Sequence, residues 1–208
     1  MMILINIIDY GMGNIQSVKN AFEILDCKVE VIDKPQDLSN ADGIILPGVG
    51  AFANAISNLE ERQLVQPLQD AVLEKGIPLL GICLGMQLLA DSSEERGISK
   101  GLSFIPGKIK KIPELKGYRL PHVGWNEVEV QNEQPLFKDI DTNSSFYFVH
   151  SYRFECEKKY ISSITDYGQK ITASVQKDHI FGVQFHPEKS QKKGFYLINN
   201  FIGYVKNK

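Results

Sequence analysis

The sequence predicts an α/β fold: a central, mostly parallel sheet flanked by helices, with antiparallel strands added in the second half. Three observations predict it. Short apolar runs alternate with segments of helical spacing through the first half of the chain. The second half changes to period-two and aromatic, β-branched runs separated by turns. A cysteine, Cys83, stands at the junction between one apolar run and the helical spacing that follows it.

The elements follow in order. Ile3 to Ile8 is an apolar run broken by Asn6 alone, and it leads into the turn Asp9-Tyr10-Gly11-Met12-Gly13-Asn14. Asn14 is a good N-cap for a helix from Ile15 to Leu25, whose Val18, Phe22 and Leu25 share one face. Val29 to Ile32 and Gly43 to Leu46 are short strands, and helical pieces over Phe52 to Leu59 and Leu64 to Leu73 follow Pro47-Gly48-Val49-Gly50. Ile77 to Ile82, introduced by Gly76, suits a buried parallel strand, and Leu84 to Ala90 resumes helical spacing. This βαβαβ repetition is the signature of a parallel sheet covered on both faces. Right-handed crossovers align the strand C-termini, where open α/β sheets place their sites. Trp125 to Val130 and Phe146 to Val149 then read as antiparallel strands. Ile171 to Val175 and Ile180 to Phe185 join through a hairpin-like turn at Gln176-Lys177-Asp178-His179, and a helix from Gly194 to Val205 closes the chain.

The 208 residues, 43% of them hydrophobic, suffice for one substantial core and most simply form one domain, 1–208. A net charge of -2, with no basic stripe, gives no reason to expect nucleic acid or a membrane surface as partner. Three cysteines without CxxC spacing indicate neither a disulfide framework nor a zinc site and suit a reducing, cytoplasmic setting. The apolar start lacks a basic leader and is too short to span a bilayer. His122, His150, His179 and His186 are scattered without metal-site spacing. Gly11-Met12-Gly13 lacks the third glycine of a dinucleotide fingerprint, Gln16 standing in its place, and reads as a tight turn into a capped helix. No metal or cofactor is expected.

The chemistry is concentrated in Gly81-Ile82-Cys83-Leu84-Gly85 and His186-Pro187-Glu188. A cysteine on a sharp strand-to-helix turn presents its sulfur above the sheet, and glycines two positions to either side keep Cβ atoms from colliding. Backbone N–H groups at the following helix favour the thiolate, the attacking form. His179 to Phe185 reads as a strand whose alternation puts Gln184, His186 and Glu188 on one side, with Pro187 opposing helix formation. Glu188 then orients one imidazole nitrogen of His186 while the other faces Cys83. The oxyanion created by attack needs donors. The Leu84 N–H follows from the elbow itself, and the loop Pro47-Gly48-Val49-Gly50 can present the N–H of Val49 or of Gly50.

These segments resemble the class I, or triad, glutamine amidotransferases, which hydrolyse glutamine and deliver ammonia to a synthase. Asp9 to Asn14, Pro47 to Phe52, Pro121 to Asn126, Phe146 to Tyr152 and Pro187 to Ser190 look, together, like the family of glutaminase subunits of imidazole glycerol phosphate synthase in histidine biosynthesis. The resemblance implies a flavodoxin-like amidotransferase fold with Cys83 as nucleophile, His186 as proton shuttle and Glu188 as its orienter. It implies Gly50, Gln87, Ser151 and Tyr152 as the glutamine-binding residues, and Val49 as oxyanion donor after a peptide flip triggered by the partner. That partner is a (β/α)₈-barrel cyclase subunit forming a heterodimer, met at Asn14, Trp125, Tyr147 and Lys189. Trp125, the only tryptophan, suits an interface anchor and a core position equally. Similar glutaminases in surface-glycan pathways keep the same trio and form the alternative. A thiol hydrolase of the same elbow type and a silent binding module stand further off. Lys116 to Leu120 maps to no role.

Overall fold

A computed structural model of the protein describes residues 2–131 and 135–208. Its first half is the expected repetition: β1 (Leu4–Ile8), α1 (Ile15–Glu23), β2 (Lys28–Ile32), β3 (Gly43–Leu46), α2 (Phe52–Glu61), α3 (Val65–Gln69), β4 (Leu79–Ile82) and α4 (Leu84–Leu88). The Asn14 side chain caps α1 by accepting from the Ser17 N–H at 3.3 Å. Some elements are shorter than their spacing suggests: α1 stops at Glu23 rather than Leu25, β4 starts at Leu79 rather than Ile77, and α4 stops at Leu88 rather than Ala90. The helical run after Leu64 reaches Glu74 by widening into a π turn at Asp70–Glu74.

The second half contributes β5 (Ser92–Ser93), β6 (Ser99–Lys100), β7 (Lys108–Lys111), β8 (His122–Val130), β9 (Ser144–His150), β10 (Tyr152–Glu155), β11 (Ile161–Asp166), β12 (Lys170–Lys177), β13 (Ile180–Val183) and α5 (Gln191–Lys206). Nine strands form the main sheet in the order β2-β1-β3-β4-β13-β12-β11-β8-β9. The first five of these are parallel and the remaining pairings antiparallel, which is the mixed sheet the sequence predicts. A smaller sheet, β10-β7-β5-β6, had no clear sequence signal because its strands are short and two of them have two residues each.

The central parallel strands β3, β4 and β13 are apolar throughout because both faces are covered, whereas the edge strand β2 carries Lys28 and Glu30. Ile45, Leu80, Ile82, Phe181 and Val183 point to one side and pack with Val18 and Phe22 of α1 and Leu197, Ile198 and Phe201 of α5. Ile44, Leu46, Leu79 and Ile180 point to the other, toward α2, α3 and α4. Each fully buried ring such as Phe22 or Phe201 contributes roughly 1.5–3 kcal/mol through the apolar area it removes from water.

This topology brings distant segments together. β3, β4 and β13 are adjacent and parallel, with Leu46 opposite Gly81 and Ile82 opposite Val183. Their C-terminal ends therefore open side by side, and the next residues on the three strands are Pro47, Cys83 and Gln184.

Candidate active site

Cys83 occupies a backbone conformation of φ 54°, ψ −109°, which costs of the order of 1–3 kcal/mol for a residue with a Cβ. It is held there by its own N–H, which donates to Val183 O at 2.8 Å, and by its carbonyl, which accepts from the Gln87 N–H at 3.3 Å. The flanking glycines have the role expected of them. A Cβ on Gly85 would collide with the Leu46 carbonyl oxygen, and one on Gly81 would stand 2.8 Å from the Gly85 backbone. Only bare backbone allows the reversing chain to pass this close to β3.

His186 and Glu188 follow β13, with one difference from the sequence reading. The strand ends at Val183, a bend follows at Gln184 and Phe185, and Pro187–Lys189 forms one 3₁₀ turn. Pro187 begins that turn instead of preventing it, because its fixed φ and missing N–H suit the first helical position. Glu188 thus reaches back to His186 across the turn rather than along a strand: Oε1 lies 2.8 Å from Nδ1, with both side chains almost wholly buried. The other ring nitrogen, Nε2, is buried without a hydrogen-bond partner among the described residues. Burial disfavours the imidazolium, but the nearness of the Cys83 sulfur and the hydrogen-bonded Glu188 carboxylate outweigh it and push the pKa up to about 10. Ser190 completes the support: its hydroxyl donates to His186 O at 2.6 Å and accepts from the Tyr147 N–H at 3.0 Å.

A cleft of about 200 Å³ opens on Cys83, lined by Val49, Gly50, Leu84, Gln87, Glu95, Val149, His150, Ser151 and Tyr152. It brings together the three regions assigned to oxyanion and substrate binding. Gln87 is buried rather than an exposed helix residue: Nε2 donates to Gln184 Oε1 at 2.9 Å and to Tyr152 O at 3.4 Å. Gln184, fully buried, also points its amide at the Cys83 sulfur, 3.8 Å away. Glu95 was not singled out from the sequence, where it lies in an ordinary charged loop. Its carboxylate accepts from the Phe52 N–H at 2.8 Å, just beyond the glycine loop, and gives the cleft its only acidic wall residue among the described residues.

Two of the three expected oxyanion donors, the N–H groups of Leu84 and Val49, are occupied in this conformation. The Leu84 N–H donates to Gly48 O at 3.3 Å, and the Val49 N–H donates to Met12 O at 3.3 Å. Gly48 O and Val49 N–H belong to one peptide unit. Rotating that single plane withdraws the carbonyl from Leu84 and swings the Val49 N–H away from Met12 at the same time.

Of the four residues assigned to the partner contact, three cluster on the surface. Trp125 and Tyr147 are paired across β8 and β9 with ring centroids 6.2 Å apart, and Lys189 Nζ sits 6.0 Å from the Tyr147 centroid. Trp125 is 48% exposed, which decides between the two readings of it: it is not a core residue. Asn14, also exposed, is engaged separately as the cap of α1.

The family model described as "Glutamine amidotransferase class-I" matches residues 6–203. The chain is 46% identical to imidazole glycerol phosphate synthase subunit HisH 1 of Campylobacter jejuni, over 96% of this chain and 99% of that protein. It is 48% identical to subunit HisH of Moorella thermoacetica, over 98% and 96%. Among solved structures, PurLQS from Thermotoga maritima superposes with a TM-score of 0.74 at 17% identity, over 99% of this chain and 100% of that one, and so shares the fold.

Proposed function

Because the chain belongs to the class-I glutamine amidotransferases, and within them to the HisH subunits of imidazole glycerol phosphate synthase, we propose that Cys83, His186 and Glu188 carry its glutaminase reaction. The protein is the glutaminase subunit of that synthase and acts in histidine biosynthesis; its relatives favour this branch over the surface-glycan alternative. The observation that carries the site assignment is the adjacency of β4 and β13, which brings the buried His186–Glu188 pair within interaction distance of Cys83, the residue that opens into the cleft lined by Gln87, Ser151 and Tyr152.

The reaction follows from these groups. The Cys83 sulfur attacks the side-chain carbonyl carbon of glutamine, and the oxyanion is received by the Leu84 N–H and, after rotation of the Gly48–Val49 peptide, by the Val49 N–H, with Gly50 lending the loop its freedom. His186 Nε2 takes the proton of the Cys83 thiol as the sulfur attacks and gives it to the departing nitrogen, so ammonia leaves and a γ-glutamyl thioester remains. Water then attacks the thioester, His186 takes a proton from it and returns it to the sulfur, and glutamate departs with the thiol restored. Glu188 keeps Nδ1 protonated and the ring in place throughout. Glu95 faces the cleft as the counter-charge for the α-ammonium of the substrate, while Gln87, Ser151 and Tyr152 hold the amino-acid end.

The partner is a cyclase of (β/α)₈-barrel form, joined as a heterodimer at Asn14, Trp125, Tyr147 and Lys189. Docking there reaches the switch directly, because Asn14 closes the same turn that supplies Met12 O to the Val49 N–H. Ammonia passes to the cyclase without meeting solvent, where protonation would remove its lone pair. We place this single-domain chain in the cytoplasm; no helix among the described residues is long and apolar enough to cross a membrane.

Cys83→Ala tests the division of labour in the complex. Glutamine-dependent formation of imidazole glycerol phosphate should vanish while ammonia-dependent formation continues; equal loss of both would refute it.

A further inference from the structure

Two buried histidines outside the catalytic trio are joined in one hydrogen-bonded chain. His150 Nδ1 lies 2.7 Å from Tyr152 O, and since a carbonyl only accepts, the proton is on Nδ1. His150 Nε2 is then an acceptor, so His122 Nδ1, 3.1 Å away, must donate to it. His122 Nε2 accepts in turn from Asn126 Nδ2 at 3.3 Å, and the same amide donates to Asp166 O at 2.7 Å. Every proton in the chain is assigned by its two fixed ends, the Asn126 amide and the Tyr152 carbonyl. Burial holds His122 down at about 4 and His150 at about 3, so both rings stay neutral at physiological pH and the direction of donation persists.

Both ends of this relay matter. At the inner end, Tyr152 O accepts from Gln87 as well as from His150, so both of its lone pairs are engaged and the peptide after Tyr152 is fixed. At the outer end, the His122 ring stacks on Phe148, with centroids 4.8 Å apart, and on Tyr167, with centroids 4.0 Å apart. Tyr167 donates its hydroxyl to Arg119 O at 2.6 Å and meets the Tyr118 ring edge-on at 5.1 Å. The segment Lys116 to Leu120, which maps to no role in the sequence, is therefore the outer support of a rigid path that ends at the cleft.

We propose that His122 and His150 are positioning residues that lock the Ser151–Tyr152 segment in its glutamine-binding conformation, a role that rests on the glutaminase reading of the cleft. Their action on substrate affinity runs through Tyr152; His150 also lines the cleft and lies within electrostatic reach of His186, so the test variants leave it in place.

His122→Phe keeps the ring between Phe148 and Tyr167 but removes the donor to His150 Nε2. In the complex with the cyclase, the KM for glutamine should rise about tenfold or more while kcat changes less than about threefold, the expected result of leaving a buried acceptor unmatched at the binding segment. His122→Asn, whose amide can stand where Nδ1 stood, should recover most of that rise. In the wild type, ¹⁵N spectra should show both imidazoles neutral and protonated on Nδ1. An unchanged KM in His122→Phe, or a proton on Nε2 of His150, overturns the proposal. Should His122→Phe not fold, Asn126→Ala removes the outer donor from a half-buried site and should raise KM about threefold; an unchanged KM there also overturns it. Wild-type protein that releases no glutamate with its cyclase would instead strike the glutaminase reading, and the ¹⁵N measurement would still judge the relay.

Discussion

Acid should find this protein through His122 and His150. Both are buried and neutral, at about 4 and about 3, whereas an unfolded histidine titrates near 6.5. Their folded pKa values lie below the unfolded one, so the unfolded chain binds protons that the native state refuses, and stability falls as pH drops below 6.5. The slope approaches about 1.4 kcal/mol per pH unit for each ring, and between pH 7 and pH 5 it integrates to about 2 kcal/mol apiece. His186 behaves oppositely. Its pKa is raised to about 10, so its contribution is fully present below pH 6.5 and is lost as pH climbs through 10. That term is common to wild type and variant and cancels between them. Urea unfolding at pH 7 and pH 5 should therefore show His122→Phe losing about 2 kcal/mol less on acidification than the wild type, at similar m-values. Equal losses in the two proteins would refute the claim that His122 is held neutral by the fold.

Glu188→Gln should lower glutamine-dependent kcat by about 10²–10⁴-fold, the scale seen when the orienting acid of a comparable trio becomes an amide. The His186 titration followed by NMR should move well down from about 10, because burial would then be opposed by Cys83 alone; a titration that stays put would remove Glu188 from the mechanism. Trp125→Ala should weaken binding to the cyclase about tenfold or more while leaving the stability of the isolated chain within about 0.5 kcal/mol, since the ring is half exposed. Unchanged affinity by calorimetry would move the interface elsewhere.

The division between sequence and tertiary structure can be traced residue by residue. Periodicity sufficed for the parallel half because a strand covered on both faces, such as Gly43–Leu46, must be apolar at every position, and that pattern is local. It sufficed for Cys83 as well, since the glycines at 81 and 85 are required by close approach within the elbow and against β3. Local pattern misjudged Pro187, which blocks a helix from within but starts one at its first position; which of these applies depends on where the preceding strand stops. The small sheet left no trace, as strands of two residues have no period to read.

The remainder of the site depends on neighbours far along the chain. Glu95 reaches the cleft from a loop whose charges look solvated in sequence, and Ser190 ties His186 to Tyr147 through two bonds that no spacing announces. The occupied state of the oxyanion donors is likewise a property of two loops meeting, Met12 after β1 and Gly48–Val49 after β3. The chain by itself determined which atoms can react, because reactivity belongs to side chains and to the turns they sit on. Only the folded sheet decided which of them meet, because strand order sets β13 beside β4 and makes neighbours of residues about a hundred positions apart.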